Sequence, residues 1–237
     1  DANNHLTVDG IPLDRLMTNF GSPLYVYSGA GLRRALKAFQ TAVAPVSGKV
    51  HYAVKANSAL GVIALLTRCG AGADIVSAGE LARALAAGVT PKDIVFSGVG
   101  KNASDIRSAL AAGIGQINAE SAAEVEQISA ISADMGVIAP VSLRVNVNID
   151  ADTHSKISTG KRSTKFGIST DQNEATALYT RLSSDPNIKP MGLAVHIGSQ
   201  ICDLAPFEKA YSALLDVANT LREQGQQINC LDLGGGI

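Results

Sequence analysis

Several residues in this sequence could take part in chemistry, and the first of them is a single lysine. In the stretch HYAVKANS, Lys55 directly follows a run that is typical of a buried strand. Burying a charged amine is costly unless the amine is bound or used. A desolvated lysine has a lowered amine pKa and can form a Schiff base with a carbonyl compound. The ordinary alternative is that Lys55 sits at a strand end and reaches solvent.

Two further motifs could hold a flat, anionic ligand. HIGSQ places His196, whose ring can stack on another ring, close to Ser199, whose hydroxyl can donate to a phosphate. LDLGGGI has three glycines after a strand, where backbone N–H groups can approach a phosphate: Gly234, Gly235 and Gly236. A core histidine and a mobile turn are the ordinary alternatives. Combined with an amine, these groups match the needs of pyridoxal phosphate.

A repeated strand–helix pattern would position these motifs. Ala- and Leu-rich helical segments separate seven strand-like segments: KVHYAVK, ADIVSA, DIVFSG, GQINA, PVSLRVNVN, MGLAVHIGS and INCLDLGGG. Such an alternation predicts a parallel sheet with right-handed crossovers. The earlier segment SPLYVYS lies outside the series.

The alternation of apolar and polar side chains within the strands favours a barrel over an open sheet. In SLRVNVN, Leu143 and Val145 oppose Arg144 and Asn146, because successive side chains face opposite ways. Other strands also have one apolar face and one small or polar face. An open sheet covered by helices on both sides should be apolar on both. We therefore predict an α/β fold, a TIM-type (β/α)8 barrel incomplete after about seven strands, with its site at the carboxyl ends of the strands.

Other polar residues have two interpretations each. Three could lie near a bound ring or form a buried network that only supports the barrel: Asp74, Arg144 and Asn146. Ser77 and Glu80, in SAGE, match a helix capping box, which favours a structural role. Lys101 and Asn102 follow a strand end, and they lie either near the opening of the barrel at the carboxyl ends of its strands or in solvent.

Composition excludes several classes of protein. The 237 residues carry a formal net charge of −1, which argues against nucleic acid or an anionic membrane as the main partner. No apolar run approaches the roughly 18 residues of a spanning helix, and the first residues do not resemble a signal peptide. The three cysteines lack metal-ligand spacing. We expect no metal centre, reduced cysteines and a cytoplasmic location.

The motifs, in their order and spacing, resemble those of the diaminopimelate decarboxylases. These enzymes belong to the alanine-racemase-like, fold type III group that uses pyridoxal phosphate. The matching stretches are YAVKAN, ADIVSAGEL, FSGVGKN, RVNVNIDADTHSKISTG, KFGI, HIGSQI and LDLGGGI. YAVKAN and GGG are shared with related ornithine, arginine and carboxynorspermidine decarboxylases. The loop DADTHSKISTGKRSTKFG is what points to the diaminopimelate branch.

The resemblance implies roles for individual residues. Lys55 would hold the cofactor as an imine, and His196 would stack on its ring, so these two are the expected catalytic residues. Asp74 and Arg144 would lie near the ring. The phosphate would be held by Ser199, Gly234, Gly235 and Gly236. A substrate lid would contribute Thr153, His154, Thr159 and Gly160, and we expect that loop to be mobile without substrate.

The resemblance also implies an activity and a larger assembly. The expected reaction converts meso-2,6-diaminopimelate to L-lysine and CO2, with a small amino acid as substrate and a homodimer as the full-length form. Residues 29–237 would be an incomplete barrel. Residues 1–28 would carry a strand that packs against a β-rich C-terminal domain, which we expect to follow in the natural protein together with a ring-pairing glutamate. The alternatives are a related basic-amino-acid decarboxylase, or a single-domain barrel that carries pyridoxal phosphate without turnover.

Overall fold

A computed structural model of the protein describes residues 6–149, 166–170 and 173–236. A small antiparallel hairpin comes first, formed by β1 (Thr7–Val8) and β2 (Ile11–Pro12), and helix α1 (Leu13–Phe20) follows it. Residues 22–28, the segment SPLYVYS, form no strand within the described chain, and the side chains of Tyr25 and Tyr27 are exposed. The proposed packing of this segment against a further domain stays a prediction.

The main sheet contains all seven predicted strands and one more. Its strands are β3 (His51–Ala53), β4 (Gly72–Ile75), β5 (Ile94–Phe96), β6 (Gln116–Ala119), β7 (Ala139–Asn146), β8 (Ile168–Ser169), β9 (Ile188–His196) and β10 (Cys230–Gly234). The spatial order is β10-β9-β7-β6-β5-β4-β3, and every pairing is parallel. The unpredicted β8 has only two residues and pairs with the carboxyl end of β7.

Helices pack outside the strands. They are α2 (Gly29–Val43), α3 (Leu60–Arg68), α4 (Ala78–Ala86), α5 (Ala103–Ala112), α6 (Ala122–Met135), α7 (Glu174–Ser183) and α8 (Ala205–Glu223). Three short 3₁₀ helices span Ala44–Val46, Val54–Ala56 and Pro91–Asp93. In the part of the chain that the structure describes, no helix is both long and apolar enough to cross a membrane.

Polar side chains begin several of these helices. Ser77 accepts a hydrogen bond from the amide of Glu80 at the start of α4, so the predicted capping role of Ser77 is confirmed. The carboxylate of Glu80 accepts from the amide of Val76 rather than from that of Ser77. Asn102 forms a complete capping box with Asp105 at the start of α5, which gives Asn102 a structural role.

The alternation of side chains along the strands is as predicted. Residues that face the helices form one large core, and they include Ile75, Phe96 and Leu143, each 0% exposed. Their neighbours face the inside of the sheet and are small or polar. This division confirms the argument for a barrel, since an open sheet between two helix layers would be apolar on both faces.

A single contact shows how strongly the sheet curls. The side-chain amide of Asn118 on β6 donates to Asp232 on β10 at 2.7 Å, although β7 and β9 separate these strands. In a flat sheet the two strands would lie about 14 Å apart, three strand spacings of about 4.8 Å. Side chains of this length cannot span that gap. The described sheet is therefore a curled half-barrel with β3 and β10 at its edges.

Candidate active site

Lys55 lies at the carboxyl end of the edge strand β3. The carboxyl ends of the strands together form the mouth of the half-barrel. The residue is in the 3₁₀ helix that follows the strand, and its side chain is exposed. The predicted strand that included Lys55 ends at Ala53, where the backbone turns into this 3₁₀ helix, and of the two alternatives for the side chain the exposed one is observed. Lys55 still acts electrostatically on Asp74 and His196, which places its charge at the mouth.

His196 ends β9, and its backbone pairs in register with Gly234. Burial, followed by the positive charges of Arg144 and Lys55, lowers the pKa of the imidazole to about 3. The ring is therefore neutral near pH 7. A Cβ on Gly234 would lie 3.0 Å from Nδ1 of His196, so only a glycine leaves the imidazole its present place. A neutral, half-buried ring at a strand end can stack on a flat ligand.

The glycine loop, residues 234–236, adjoins the turn that follows β9. The amide of Gly236 donates to the carbonyl of Gly198, and its carbonyl accepts from the amide of Ile201. A Cβ on Gly236 would approach Cα of Ser199 to 3.1 Å, and a Cβ on Gly235 would overlap the ring of Phe207. The loop therefore packs by its backbone alone. Because its amide is used internally, Gly236 holds the loop's shape in this structure rather than offering a free donor.

A buried ion pair lies beside His196 at the mouth. Arg144 on β7 donates to Oε1 of Glu120 at 2.7 Å, and both side chains are almost fully buried. Glu120 Oε1 also accepts from the amide of Gly98. The second nitrogen of Arg144 donates to the carbonyl of His196 at 3.2 Å. This pair ties together the ends of β5, β6, β7 and β9, and so it fixes the backbone that carries the imidazole.

Asp74 belongs to a hydrogen-bonded chain that crosses the inside of the half-barrel. Ser97 donates to Asp74 at 2.6 Å, and Asn118 donates both to Ser97 at 3.1 Å and to Asp232 at 2.7 Å. Burial raises the pKa of the Asp74 carboxyl to about 7, against the opposing effect of the Ser97 hydrogen bond. Burial also raises the pKa of Asp232. The Asp74 carboxyl is therefore partly protonated near pH 7.

These observations agree with the comparisons with known proteins. Residues 30–237 match the family described as pyridoxal-dependent decarboxylase, pyridoxal binding domain. Diaminopimelate decarboxylases of Zymomonas mobilis and Pseudomonas aeruginosa are 45% and 47% identical over 99% and 98% of this chain. The chain belongs to the pyridoxal-dependent decarboxylases. It spans about 56% and 55% of the length of these two relatives.

Solved structures agree with this assignment. The crystal structure of diaminopimelate decarboxylase from Helicobacter pylori complexed with L-lysine has a TM-score of 0.91 and 38% sequence identity, and the match covers 95% of this chain and 57% of that one. An arginine decarboxylase from Paramecium bursaria Chlorella virus has a TM-score of 0.78 at 21% identity, which is similarity of fold alone. The expected fold class, an incomplete pyridoxal-phosphate-binding barrel, is confirmed.

Pyridoxal phosphate is the cofactor of this family, and the residues at the mouth fit it. Lys55 supplies an amine, His196 a neutral ring, and residues 234–236 a surface without side chains. In addition, Oε2 of Glu120 is buried and has no hydrogen-bond partner among the described residues. An unpaired buried carboxylate oxygen costs about 1–3 kcal/mol, so a ligand or water that donates to it is favoured. The described residues contain no cluster of His, Cys, Asp and Glu that could hold a metal ion.

Other predicted residues have structural roles or lie outside the description. Lys101 is not solvated, because its buried ammonium donates to Glu124 and to the carbonyls of Gly98 and Asn118. Asn146 donates to the carbonyl of Phe166 and accepts from the amide of Asn148, so it ties these two residues to the end of β7. The predicted lid residues fall outside the described residues: Thr153, His154, Thr159 and Gly160.

Sequence reasoning missed the polar residues of β6 and of the position after it. Gln116 and Asn118 alternate in the strand, Glu120 follows its end, and each is buried. Such alternation of polar residues in a buried strand was a usable signal, since it marks the inward face. Ser97 and Asp232 were equally recoverable, because both share the inward parity of their strands.

Proposed function

We propose that this chain is the cofactor-binding part of a diaminopimelate decarboxylase, which converts meso-2,6-diaminopimelate to L-lysine and CO2. One observation carries the chemistry: an amine, a neutral imidazole and a side-chain-free glycine loop meet at one mouth, around Lys55, His196 and residues 234–236. The choice of substrate is supported by relatives of that name, which are 44–47% identical over nearly the whole chain.

The positions of the residues support a role for each. Lys55 would hold the cofactor through Nζ, where the amino group of the substrate would replace it. The imidazole of His196 would support the ring, and its low pKa keeps it uncharged. When bound, pyridoxal phosphate draws electrons from the substrate α-carbon and so permits loss of the carboxylate. Arg144 and Asp74 set the charge beside the ring.

The phosphate belongs at the glycine loop. Ser199, Gly234, Gly235 and Gly236 would hold it, with Gly236 fixing the loop's shape through Gly198. Thr153, His154, Thr159 and Gly160 would cover the bound substrate. A small amino acid as partner, a homodimer and a cytoplasmic location complete this proposal, and the organisation into residues 1–28 and 29–237 belongs to it as well.

Covalent labelling tests the cofactor site. Borohydride reduction of the complete gene product with pyridoxal phosphate should fix the label on Lys55, as found by peptide mapping. Lys55→Ala should lose both the label and turnover. Lys92, another exposed lysine in a 3₁₀ helix, provides the matched control, and Lys92→Ala should keep both. A label on Lys101 or Lys165 would contradict the assignment.

Substrate turnover tests the activity separately. CO2 release should be fastest with meso-2,6-diaminopimelate and much slower with ornithine or arginine. A preference for either of these would identify a related basic-amino-acid decarboxylase. Stoichiometric labelling without release of CO2 from any of the three would point to a carrier of the cofactor and would refute the proposed reaction.

A further inference from the structure

We infer that the hydrogen bond between Asn118 and Asp232 is a strut that positions the glycine loop for a phosphate, which makes Asn118 a positioning residue for the cofactor. The inference rests on the proposed pyridoxal-phosphate site and adds to it a residue that has no part in the roles given above. Asn118 lies across the half-barrel from the loop, and its effect must pass through Asp232.

The strut is a short, charge-assisted contact between strands that are not neighbours. Asn118 Nδ2 donates to Asp232 Oδ2 at 2.7 Å, and the two residues are 114 positions apart in the sequence. Asn118 is 3% exposed. Hydrogen bonds to carboxylates at such distances are stronger than neutral ones, particularly where water is excluded.

The Asn118 end of the strut is held on several sides. Its Oδ1 accepts from Nε2 of Gln116 at 2.8 Å, and its amide also donates to Ser97. Its backbone carbonyl accepts from the buried ammonium of Lys101 at 2.8 Å. These contacts fix the orientation of the side-chain amide, so the nitrogen faces Asp232 and the oxygen faces away.

The Asp232 end lies two residues before the glycine loop. Asp232 pairs with Ala194 and Gly234 with His196, so β10 has hydrogen-bonded pairing on the β9 side. The strut therefore ties β10 to β6, beside the hydrogen bond from Tyr211 to the carbonyl of Leu233, immediately before the chain reaches residues 234–236. Without the strut, β10 loses its side-chain link to β6 while its pairing with β9 persists.

A comparison of two ligands separates positioning of the phosphate loop from general support of the barrel. Pyridoxal lacks the phosphate but carries the same ring and aldehyde. In the complete gene product freed of cofactor, we expect Asn118→Leu to weaken binding of pyridoxal phosphate about tenfold. Pyridoxal should bind with unchanged affinity. Absorbance titration measures both, and thermal melting checks that the variant is folded.

Further variants control for folding and polarity. Asn118→Asp, which sets two carboxyls against each other, should also lose pyridoxal phosphate selectively. The exchange Asn118→Asp with Asp232→Asn restores one donor and one acceptor and should recover most of the affinity. Asn187→Leu removes a comparable side-chain contact, with Ser129, away from the mouth, and it should change neither affinity. If Asn118→Leu does not fold, Asn118→Ser, which shortens the side chain, replaces it.

The outcomes discriminate this inference from the proposed function. Equal losses for both ligands, or no loss for either, would overturn the strut's positioning role while leaving the cofactor site intact. An exchange variant as weak as Asn118→Asp would overturn it too. Failure of the unmodified protein to bind pyridoxal phosphate at all would instead refute the proposed function.

Discussion

Replacing Asp74 with asparagine should stabilise the cofactor-free protein above about pH 7 and change little near pH 4. Burial raises the pKa of this carboxyl from 3.8 to about 7. Between these values the unfolded chain releases a proton that the folded protein retains. The contribution of Asp74 to stability is thus fully present below about pH 4 and is lost as the pH rises toward 7.

The size of the effect follows from the same pKa. A difference of this size corresponds to about 4 kcal/mol, since one pKa unit is about 1.4 kcal/mol. Asp74 is only partly buried by exposed area and interacts with the carboxyl of Asp232, so we expect about 2–4 kcal/mol. Asparagine keeps an oxygen that accepts from Ser97 but carries no charge at any pH.

Urea denaturation at pH 4.5 and pH 8 provides the assay. The free energy of unfolding of Asp74→Asn minus that of the unmodified protein should be about 2–4 kcal/mol at pH 8 and about 1 kcal/mol or less at pH 4.5. Asp216→Asn, at an exposed position of α8, is the control and should show the same small difference at both. An equal difference for Asp74→Asn at the two pH values would refute the raised pKa.

Two further predictions concern the mouth and the core beside it. His196→Phe should keep most of the affinity for pyridoxal phosphate, and His196→Ala should lose about threefold to tenfold, because stacking contributes about 0.5–1.5 kcal/mol; absorbance titration that found both variants equal to the unmodified protein would exclude stacking. Lys101→Met should lower the free energy of unfolding by about 3 kcal/mol, because it leaves Glu124 without its buried partner. Arg107→Met, which breaks an exposed pair with Asp134, should cost about 0.5 kcal/mol or less, and equal losses in urea for these two variants would contradict the burial argument.

The sequence predicted the strands and their inward faces because local alternation is enough to set them. Arg144 and Leu143 fall on opposite faces of β7 as their parity requires, and Leu143 is 0% exposed. The predicted start of α4 was equally local, since Ser77 caps it through the amide of Glu80, three positions on. The capping box of Asn102 was not predicted, although it is just as local. Features of this kind depend on a few neighbouring residues and need no knowledge of the whole fold.

The features that the sequence did not predict depend on the curvature of the sheet and on how the chain turns at the ends of strands. Lys55 was expected in the strand, but the chain turns into a 3₁₀ helix there, and a period of two cannot signal such a turn. The contact of Asn118 with Asp232 spans 114 positions and exists only because the sheet curls. Lys101 follows a strand end like Lys55, yet Glu124 and two carbonyls bury it. No local pattern distinguishes these two lysines.

The charge of the mouth explains why buried carboxyls are compatible with an anionic ligand. Arg144 is balanced by Glu120 at 2.7 Å, while the raised pKa of Asp74 reduces the negative charge that faces Lys55. A phosphate that entered beside fully ionised aspartates would be repelled in a medium of low dielectric. A partly protonated Asp74 avoids part of that repulsion and still takes part in the hydrogen-bonded chain through Ser97 and Asn118. The polar interior of the half-barrel can therefore support the strands without excluding the cofactor.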